Sequence, residues 1–346
     1  MPYIVNQIIN FTKDHTDLAT KTYMRKLILI SIVAFSNIWH SYTQQIPVYS
    51  QYILSEFLIN PAVAGIDGMT TINLSGRKQW VGLQNTPETY SASISTRILK
   101  SPFKVSRNRY RRGSKGRVGL GAAFISDKNG AINRTNFKFV YAYHIFIQNY
   151  QLSFGLEAYA MQFKIDEDLI DFRDPDHPDI EGLIGKSAYV PDAGAGISFS
   201  TSRANIGFSA TNLLQSPIKF GNINIASKEL QHIRHYVLYG FYKRELRNRK
   251  WDFEPSFILR GNEKLRFTAD LSGRFIYKRE YWAGLSIRTS GEFILLLGIK
   301  MNRFYIGYSF DYGLNQLSRL SYGSHEIIIA IKLGDSLRRY RWLERY

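Results

Sequence analysis

The 346-residue chain contains no cysteine. That excludes a disulfide scaffold, thiol catalysis, iron–sulfur clusters and cysteine–zinc sites. Proline is scarce, at 10 residues. Acids are in deficit: 28 Asp+Glu stand against 45 Lys+Arg, a formal net charge of +17. Such an excess points to nucleic acid, an anionic membrane surface or an acidic partner. Downstream of the N-terminal region no apolar run reaches 18 residues, so no helix there has the length to span a bilayer. Aromatics, by contrast, are plentiful. The 23 Tyr and 22 Phe argue against a plain nucleic-acid binder, and with 26 Gly they suit strands and tight turns. An apolar content of 45% is enough for a large core and excludes whole-chain disorder. Length alone suggests two domains, but all-β barrels of this size occur as one.

The N-terminal region has the three-part form of a secretory signal peptide. Met24-Arg25-Lys26 is the basic start, Leu27 to Phe35 the apolar run, and Asn37 to Thr43 the polar end. The run is too short for a membrane-spanning helix. The expected divisions are an extension at 1–23 that does not belong to the signal, a signal peptide at 24–43, an N-terminal plug or periplasmic segment at 44–69, a β-barrel at 70–334 and a basic tail at 335–346. Met24 is the expected initiator, and Gln44 or Gln45 the expected mature start.

From Thr70 onward the dominant signal is alternation. Tyr90, Ala92, Ile94, Thr96 and Ile98 alternate with Ser91, Ser93, Ser95 and Arg97. Phe137, Phe139, Tyr141, Tyr143 and Ile145 repeat the pattern, as do Phe293, Leu295, Leu297 and Ile299. Runs of roughly 9–12 residues match a tilted strand that crosses a bilayer, whereas ordinary strands are nearer 5–6. The fold class expected is all-β, a transmembrane outer-membrane barrel of about 14 antiparallel strands. The spans are near 70–79, 88–98, 117–126, 135–147, 150–163, 193–200, 203–211, 234–243, 251–260, 264–275, 280–289, 292–300, 303–311 and 324–334. Apolar faces then point to lipid, and Trp80, Tyr150, Trp251, Tyr281, Trp282 and Tyr312 form interfacial girdles. A periplasmic or secreted β-sandwich is the alternative.

With both barrel ends of the chain in the periplasm, connection 99–116 is periplasmic and its basic patch, Arg107, Arg109, Arg111, Arg112 and Lys115, faces that side. The acidic connection 164–192, from Asp166 to Asp192, faces outside. The sequence offers no catalytic constellation, metal site or cofactor motif: there is no G-x-S-x-G, H-E-x-x-H or P-loop. Gly119-Leu120-Gly121 reads as strand glycines, and His232 with His235 as a solvated pair. The acidic loop lacks the ligand spacing of a calcium site.

Five motifs remain. They are Ser50-Gln51-Tyr52, Asn60-Pro61-Ala62-Val63-Ala64-Gly65, Arg77-Lys78-Gln79-Trp80-Val81-Gly82, Gly307-Tyr308-Ser309-Phe310-Asp311 and Gly323-Ser324-His325-Glu326. In order and spacing they resemble the PorP/SprF family of type IX secretion membrane proteins from gliding and related Bacteroidetes, whose patterns are S-Q-Y, N-P-A-x-A-G, R-x-Q-W-x-G, G-Y-S-x-D and G-S/T-H-E. The resemblance runs from about Gln45 to about Leu333. It implies a non-enzymatic outer-membrane subunit without cofactor or nucleic-acid partner. Its implied partners are outer-membrane lipids, the periplasmic lipoprotein ring and translocon, and secreted adhesins with a type B C-terminal domain. The motif residues Ser50, Gln51, Tyr52, Asn60, Pro61, Ala62, Gly65, Arg77, Trp80, Gly82, Asp311, His325 and Glu326 become candidates for structural or partner contacts. Small Ala62, Ala64 and Gly65 allow close backbone approach, so residues 46–68 are expected in the lumen or at the periplasmic rim. Arg77 with Trp80 is expected at the rim. Of His325 and Glu326, one points inward, where it could pair with Arg77 or Arg97. The competing function is a substrate-specific diffusion channel; a secreted β-sandwich adhesin is a third.

Overall fold

The computed structural model describes residues 47–98, 117–166, 169, 187–218, 232–247, 250–314 and 320–334. The signal peptide, the basic patch 107–115, most of the acidic connection and the tail 335–346 lie outside the described residues. The fold is that of the compact unit Pro47–Tyr346.

A helical turn α1 (Glu56–Ile59) and a 3-10 turn (Pro61–Val63) precede the strands. The strands are β1 (Thr70–Lys78), β2 (Glu88–Ile98), β3 (Val118–Asn129), β4 (Ile132–Ile147), β5 (Tyr150–Ile165), β6 (Ser187–Ser200) and β7 (Ala204–Thr211). They continue with β8 (His235–Tyr242, resuming at Arg244–Glu245), β9 (Trp251–Asn262), β10 (Phe267–Tyr277), β11 (Tyr281–Arg288), β12 (Glu292–Met301), β13 (Phe304–Gly313) and β14 (Ser324–Leu333). Every strand pairs antiparallel with its chain neighbours, and β1 pairs with β14 from Thr70↔Leu333 to Lys78↔His325. The sheet therefore closes into a barrel of fourteen antiparallel strands with no open edge.

Proline explains the break in β8. Phe241 pairs with Ser256 and Arg244 with Phe253, so the missing pairs fall opposite Pro255 and Glu254. Pro255 has no N–H to give to the ladder. Proline also accounts for the largest boundary error. The expected start of β6 at 193 is corrected to Ser187: Pro191 and Asp192 read as loop in the sequence but pair with Ala160 and Tyr159. The β7 ladder reaches only Ala195, and beyond it the connection after β7 lies beside β6, with Ser216 Oγ donating to the Pro191 carbonyl at 2.5 Å, so Pro191 owes no ladder donor on that side.

Alternation sorts the side chains as expected for a membrane barrel. Phe137, Phe139, Tyr141, Leu271, Leu285, Phe293 and Leu295 are exposed on the outer wall. Ser91, Ser93, Ser95, Ser198, Ser209, Ser272 and Ser286 are buried on the inner one. An apolar exterior and a polar interior invert the plan of a soluble protein and match lipid as outer solvent. Two expectations are corrected by the same parity. Trp282 faces inward, near Arg274, because its neighbour Tyr281 takes the outward position. Asp192 is a buried residue of β6 and not part of a solvated loop.

The core lies in the lumen. From Tyr49 to Gly68 every residue except Ile59 is buried. This strap packs Phe57, Leu58 and Ala64 against Ala123, Val140 and Ala142. Tyr52 and Ile53 pack against Val237, Tyr239, Phe241 and Ile258, and Leu54 against Ile276, Tyr305 and Ile328. The wall is cut back to receive it. A Cβ on Gly155 would lie 2.1 Å from the Ala62 nitrogen, and one on Gly196 2.0 Å from Asn60 Oδ1. Gly65 closes the strap with φ +62 and its Cα against the β2 backbone at Thr96.

Gly155→Ala is expected to weaken the barrel by about 1–3 kcal/mol, because the neighbour is backbone and cannot swing away. Gly76→Ala, where the nearest atom is a Tyr90 ring carbon at 3.4 Å, should be nearly neutral. Urea midpoints read from heat-modifiable gel mobility decide it; equal midpoints would show that the strap does not press on the wall.

Candidate functional site

The barrel has two unlike ends. Gln148-Asn149, 201–203, 278–280 and Asn302-Arg303 join strands at one end, where only the connection 99–117 is long; the long connections 79–87, 166–186, 212–234 and 314–323 lie at the other, beside the short turns 130–131, 263–266 and 289–291. Strap residues 50 to 68 run from the long-connection end to the short-turn end, and three layers of polar contacts hold them.

The first layer is a buried ring of charge around Ser50. Its hydroxyl donates to Asp311 Oδ2 at 2.6 Å and accepts from Arg77 Nη1 at 2.7 Å and Arg288 Nη2 at 3.3 Å. The backbone N–H groups of Ser50 and Gln51 donate to the two oxygens of Glu326, at 2.8 and 3.3 Å. Arg77 bridges Glu326 at 3.0 Å and Asp311 at 2.7 Å. Arg288 donates to both oxygens of Asp270, at 2.9 and 3.1 Å. Arg260 pairs with Asp270 at 3.0 Å and donates to the Tyr49 carbonyl at 3.3 Å. Arg288 also pairs with the part-exposed Glu292 and lies 3.6 Å from Asp311, so every buried carboxylate of the group, Asp311, Glu326 and Asp270, has a guanidinium partner, which is the condition for burying it.

In the second layer Gln51 Nε2 donates to the carbonyls of Leu297 at 3.1 Å and Tyr308 at 2.9 Å. Tyr52 donates to Ser256 Oγ at 2.7 Å. The third layer surrounds α1 and the turn after it. Glu56 accepts from Tyr239 at 2.9 Å and from Asn205. Asn60 caps the 3-10 turn by accepting from the Ala62 N–H at 2.9 Å, and its Nδ2 donates to the Ile197 carbonyl at 3.0 Å. His144 Nε2 donates to the Ala64 carbonyl at 2.9 Å and Arg97 to the Ile66 carbonyl at 2.6 Å. Lys332 pairs with Asp67 at 3.0 Å.

Four of the five sequence motifs therefore meet at the long-connection end: Ser50-Gln51, Arg77, Asp311 and Glu326. Arg77 is not a rim residue. It points inward at 4% exposure, a correction that follows from its place in register with Glu326. Glu326 is the inward member of its pair and meets Arg77, while Arg97 serves the strap's other end. His325 is on the opposite face, with Nδ1 2.7 Å from the Tyr308 hydroxyl. Beyond β1, Trp80 takes φ 48 and donates its N–H to Ser324 Oγ at 3.2 Å. Gly82, at φ +98, stacks against the Tyr322 ring, where a Cβ would lie 2.8 Å from a ring carbon. Backbone bonds Val81 N–H to Gly323 O at 2.9 Å and Tyr322 N–H to Val81 O at 2.8 Å continue the β1–β14 contact past the strands. Pro61 and Ala62 sit over the glycine-cut wall.

Sequence reasoning missed Glu56, Tyr239, Arg260, Asp270 and Arg288. The available signal was parity: Asp270 and Arg288 share the inward register of their strands with the polar residues Ser272, Arg274 and Ser286. His232 also differs from expectation. It is buried with Nδ1 3.4 Å from Asp192, and burial lowers its pKa below the ordinary histidine range although Asp192 pulls it upward. No group of three His, Asp or Glu able to hold a metal occurs among the described residues.

Residues 41–331 match the sequence profile of the family described as Type IX secretion system membrane protein PorP/SprF. The chain belongs to that family. Together with the closed lipid-facing barrel, this makes it an outer-membrane β-barrel of the type IX secretion family. No curated protein sequence matches the chain. Among solved structures it is similar to the outer membrane protein Omp33 of Acinetobacter baumannii, with 8% identity, a TM-score of 0.39, and coverage of 77% of this chain and 100% of the other. It is also similar to CdiB of Acinetobacter baumannii, with 11% identity, a TM-score of 0.40 and coverage of 76% and 60%. BamA of Haemophilus ducreyi gives 8% identity, a TM-score of 0.40 and coverage of 76% and 70%.

Removing one member of a buried charge group costs about 3–5 kcal/mol, because its partners stay buried without compensation. Arg77→Met should therefore free the strap. The expected result is new protease cleavage between residues 47 and 69 with the barrel still heat-modifiable. Arg77→Lys, which keeps the charge but loses the planar fork, should fall between the two. Protease resistance equal to wild type in Arg77→Met would show that the ring does not anchor the strap.

Proposed function

We propose that this protein is an outer-membrane subunit of the type IX secretion machine that acts beside the periplasmic lipoprotein ring and translocon. In this reading it is required for export or surface attachment of adhesins with a type B C-terminal domain, and so for gliding-related surface traffic. It performs no catalysis and supplies a fixed, filled barrel as a docking body. The observation that carries the reading is that family motifs from opposite ends of the chain, Ser50-Gln51, Arg77, Asp311 and Glu326, converge on one buried ring that fastens the lumen-filling strap. The same ring weighs against the diffusion channel. A small-molecule pore needs a continuous polar passage, whereas here aromatic and aliphatic strap residues pack onto the inner wall. Docking then falls to the two rims and the outer wall. On this reading the motif residues hold the strap, and the strap holds the rim loops that partners meet.

Deletion of the gene is expected to abolish surface display of at least one adhesin while small-molecule uptake continues unchanged. Normal display combined with a lost uptake would replace this reading with the channel.

The basic patch Arg107, Arg109, Arg111, Arg112 and Lys115 is assigned to the periplasmic side, as a contact for the ring lipoproteins. Replacing these five residues with glutamine should reduce co-purification of ring components, with the loss greatest at low salt, where exposed charges are least screened. Unchanged recovery at low salt would remove the patch from the interface.

A further inference from the structure

The short-turn end carries a second feature that neither the strap nor the secretion role uses. Beside the β8 interruption opposite Pro255 lies a cleft of ≈ 420 Å³ lined by Arg203, Tyr242, Arg244, Glu245, Leu246 and Arg247. Three guanidinium groups line it, and no carboxylate partner for Arg203, Arg244 or Arg247 occurs among the described residues. The one acid in the lining, Glu245, is held by Arg279 at 3.2 Å. The cleft is therefore cationic and uncompensated.

Strand parity decides what the cleft faces. In β8 the inward positions are Val237, Tyr239 and Phe241, all buried, so Tyr242 and Arg244 take the outward side. Both are exposed. Arg244 pairs across the ladder with Phe253, whose ring packs at 4.8 Å on Phe275. Trp251 and Tyr277 form another ring pair nearby, with centroids 4.7 Å apart. At this same end Tyr150 stacks on Phe199 at 5.6 Å. The arginines thus sit among the aromatic side chains that mark the membrane–water boundary of a barrel. An outward arginine is costly at the bilayer midplane and nearly free of cost near the interface. Its natural partner at that depth is a phosphate, which the planar guanidinium fork binds with two parallel hydrogen bonds.

We propose that Arg203, Arg244 and Arg247, with Tyr242, form a binding site for the phosphate of a lipid headgroup in the leaflet at the short-turn end of the barrel. Short turns mark the periplasmic side of outer-membrane barrels, so the ligand is an anionic phospholipid of the inner leaflet. The phosphate bridges the guanidinium groups, Tyr242 supports the glycerol region, and the acyl chains run along the outer wall past Phe253 and Phe275.

Native mass spectrometry of the full chain in detergent, delipidated and then supplied with palmitoyl-oleoyl phosphatidylglycerol, tests this. Wild type should retain one lipid through detergent release. Arg244→Gln should lower retention about tenfold, the loss of one charge-assisted contact. The Arg203→Gln, Arg244→Gln, Arg247→Gln triple variant should lose retention altogether while its heat-modifiable mobility stays that of wild type. Arg244→Lys should fall between wild type and Arg244→Gln, which separates the fork from simple charge. Equal retention in wild type and the single Arg244→Gln variant would overturn the site, and this readout holds even if the triple variant does not fold. Displacement of the lipid by excess inorganic phosphate would overturn the lipid assignment in favour of a soluble anion. Persistence of the lipid in excess phosphate supports the headgroup.

Discussion

The structure depends on one condition: the charges buried inside the barrel must be satisfied by one another and by the strap. Fourteen strands bring Arg77, Arg260, Arg288, Asp270, Asp311 and Glu326 to the inner wall at one end. None is stable there alone, since an isolated buried charge costs several kcal/mol after relaxation. Ser50 completes the set. It supplies an acceptor for two arginines, a donor for Asp311 and a backbone N–H for Glu326. The strap is thus more than a filler of the lumen. It is the part that lets the wall charges remain buried with partners, and they in turn fix where the strap enters.

Such a pin at one end needs a matching seat at the other, or the strap could slide. The seat is steric. Gly155 and Gly196 open the wall for Pro61, Ala62 and Asn60, and Gly65 turns the chain against Thr96 before β1 begins. Backbone carbonyls of Ala64 and Ile66 are taken by His144 and Arg97. Polar pinning above and close packing below give the strap one register. A single-residue shift would separate Ser50 from its charges and drive Ala62 into strand backbone.

Much of this was legible in the sequence. Alternation exposed all fourteen strands, because lipid outside and a polar interior enforce period 2 more strictly than an ordinary sheet does. It also implied that His325 and Glu326 face opposite ways. What it hid has physical causes. Pro191 and Asp192 carry loop chemistry yet continue β6, since that stretch has a ladder partner on one side only and the connection after β7 on the other. Arg77 read as a rim residue because its motif partner Trp80 lies past the strand end; only the register with Glu326 shows it turned inward. Arg260, Asp270 and Arg288 escaped notice because no motif marks them: they lie on three successive strands and meet only through the register of β9, β10 and β11. Closure across strands distant in the chain is what assembles them.

The filled lumen also restricts how the barrel can serve secretion. To let a polypeptide through, the strap would have to leave. Doing so would expose its packed residues, break the contacts of Ser50, Gln51, Glu56 and Asn60, and leave six charges facing one another across a void. Each buried partner lost costs on the order of 1–3 kcal/mol, and the losses fall together because the ring is a single network. A structure built to open would place its weakest contacts along the path. This one places its strongest contacts there, so its work belongs at the surfaces that the strap leaves free: the long-connection rim, the short-turn rim and the belt between them.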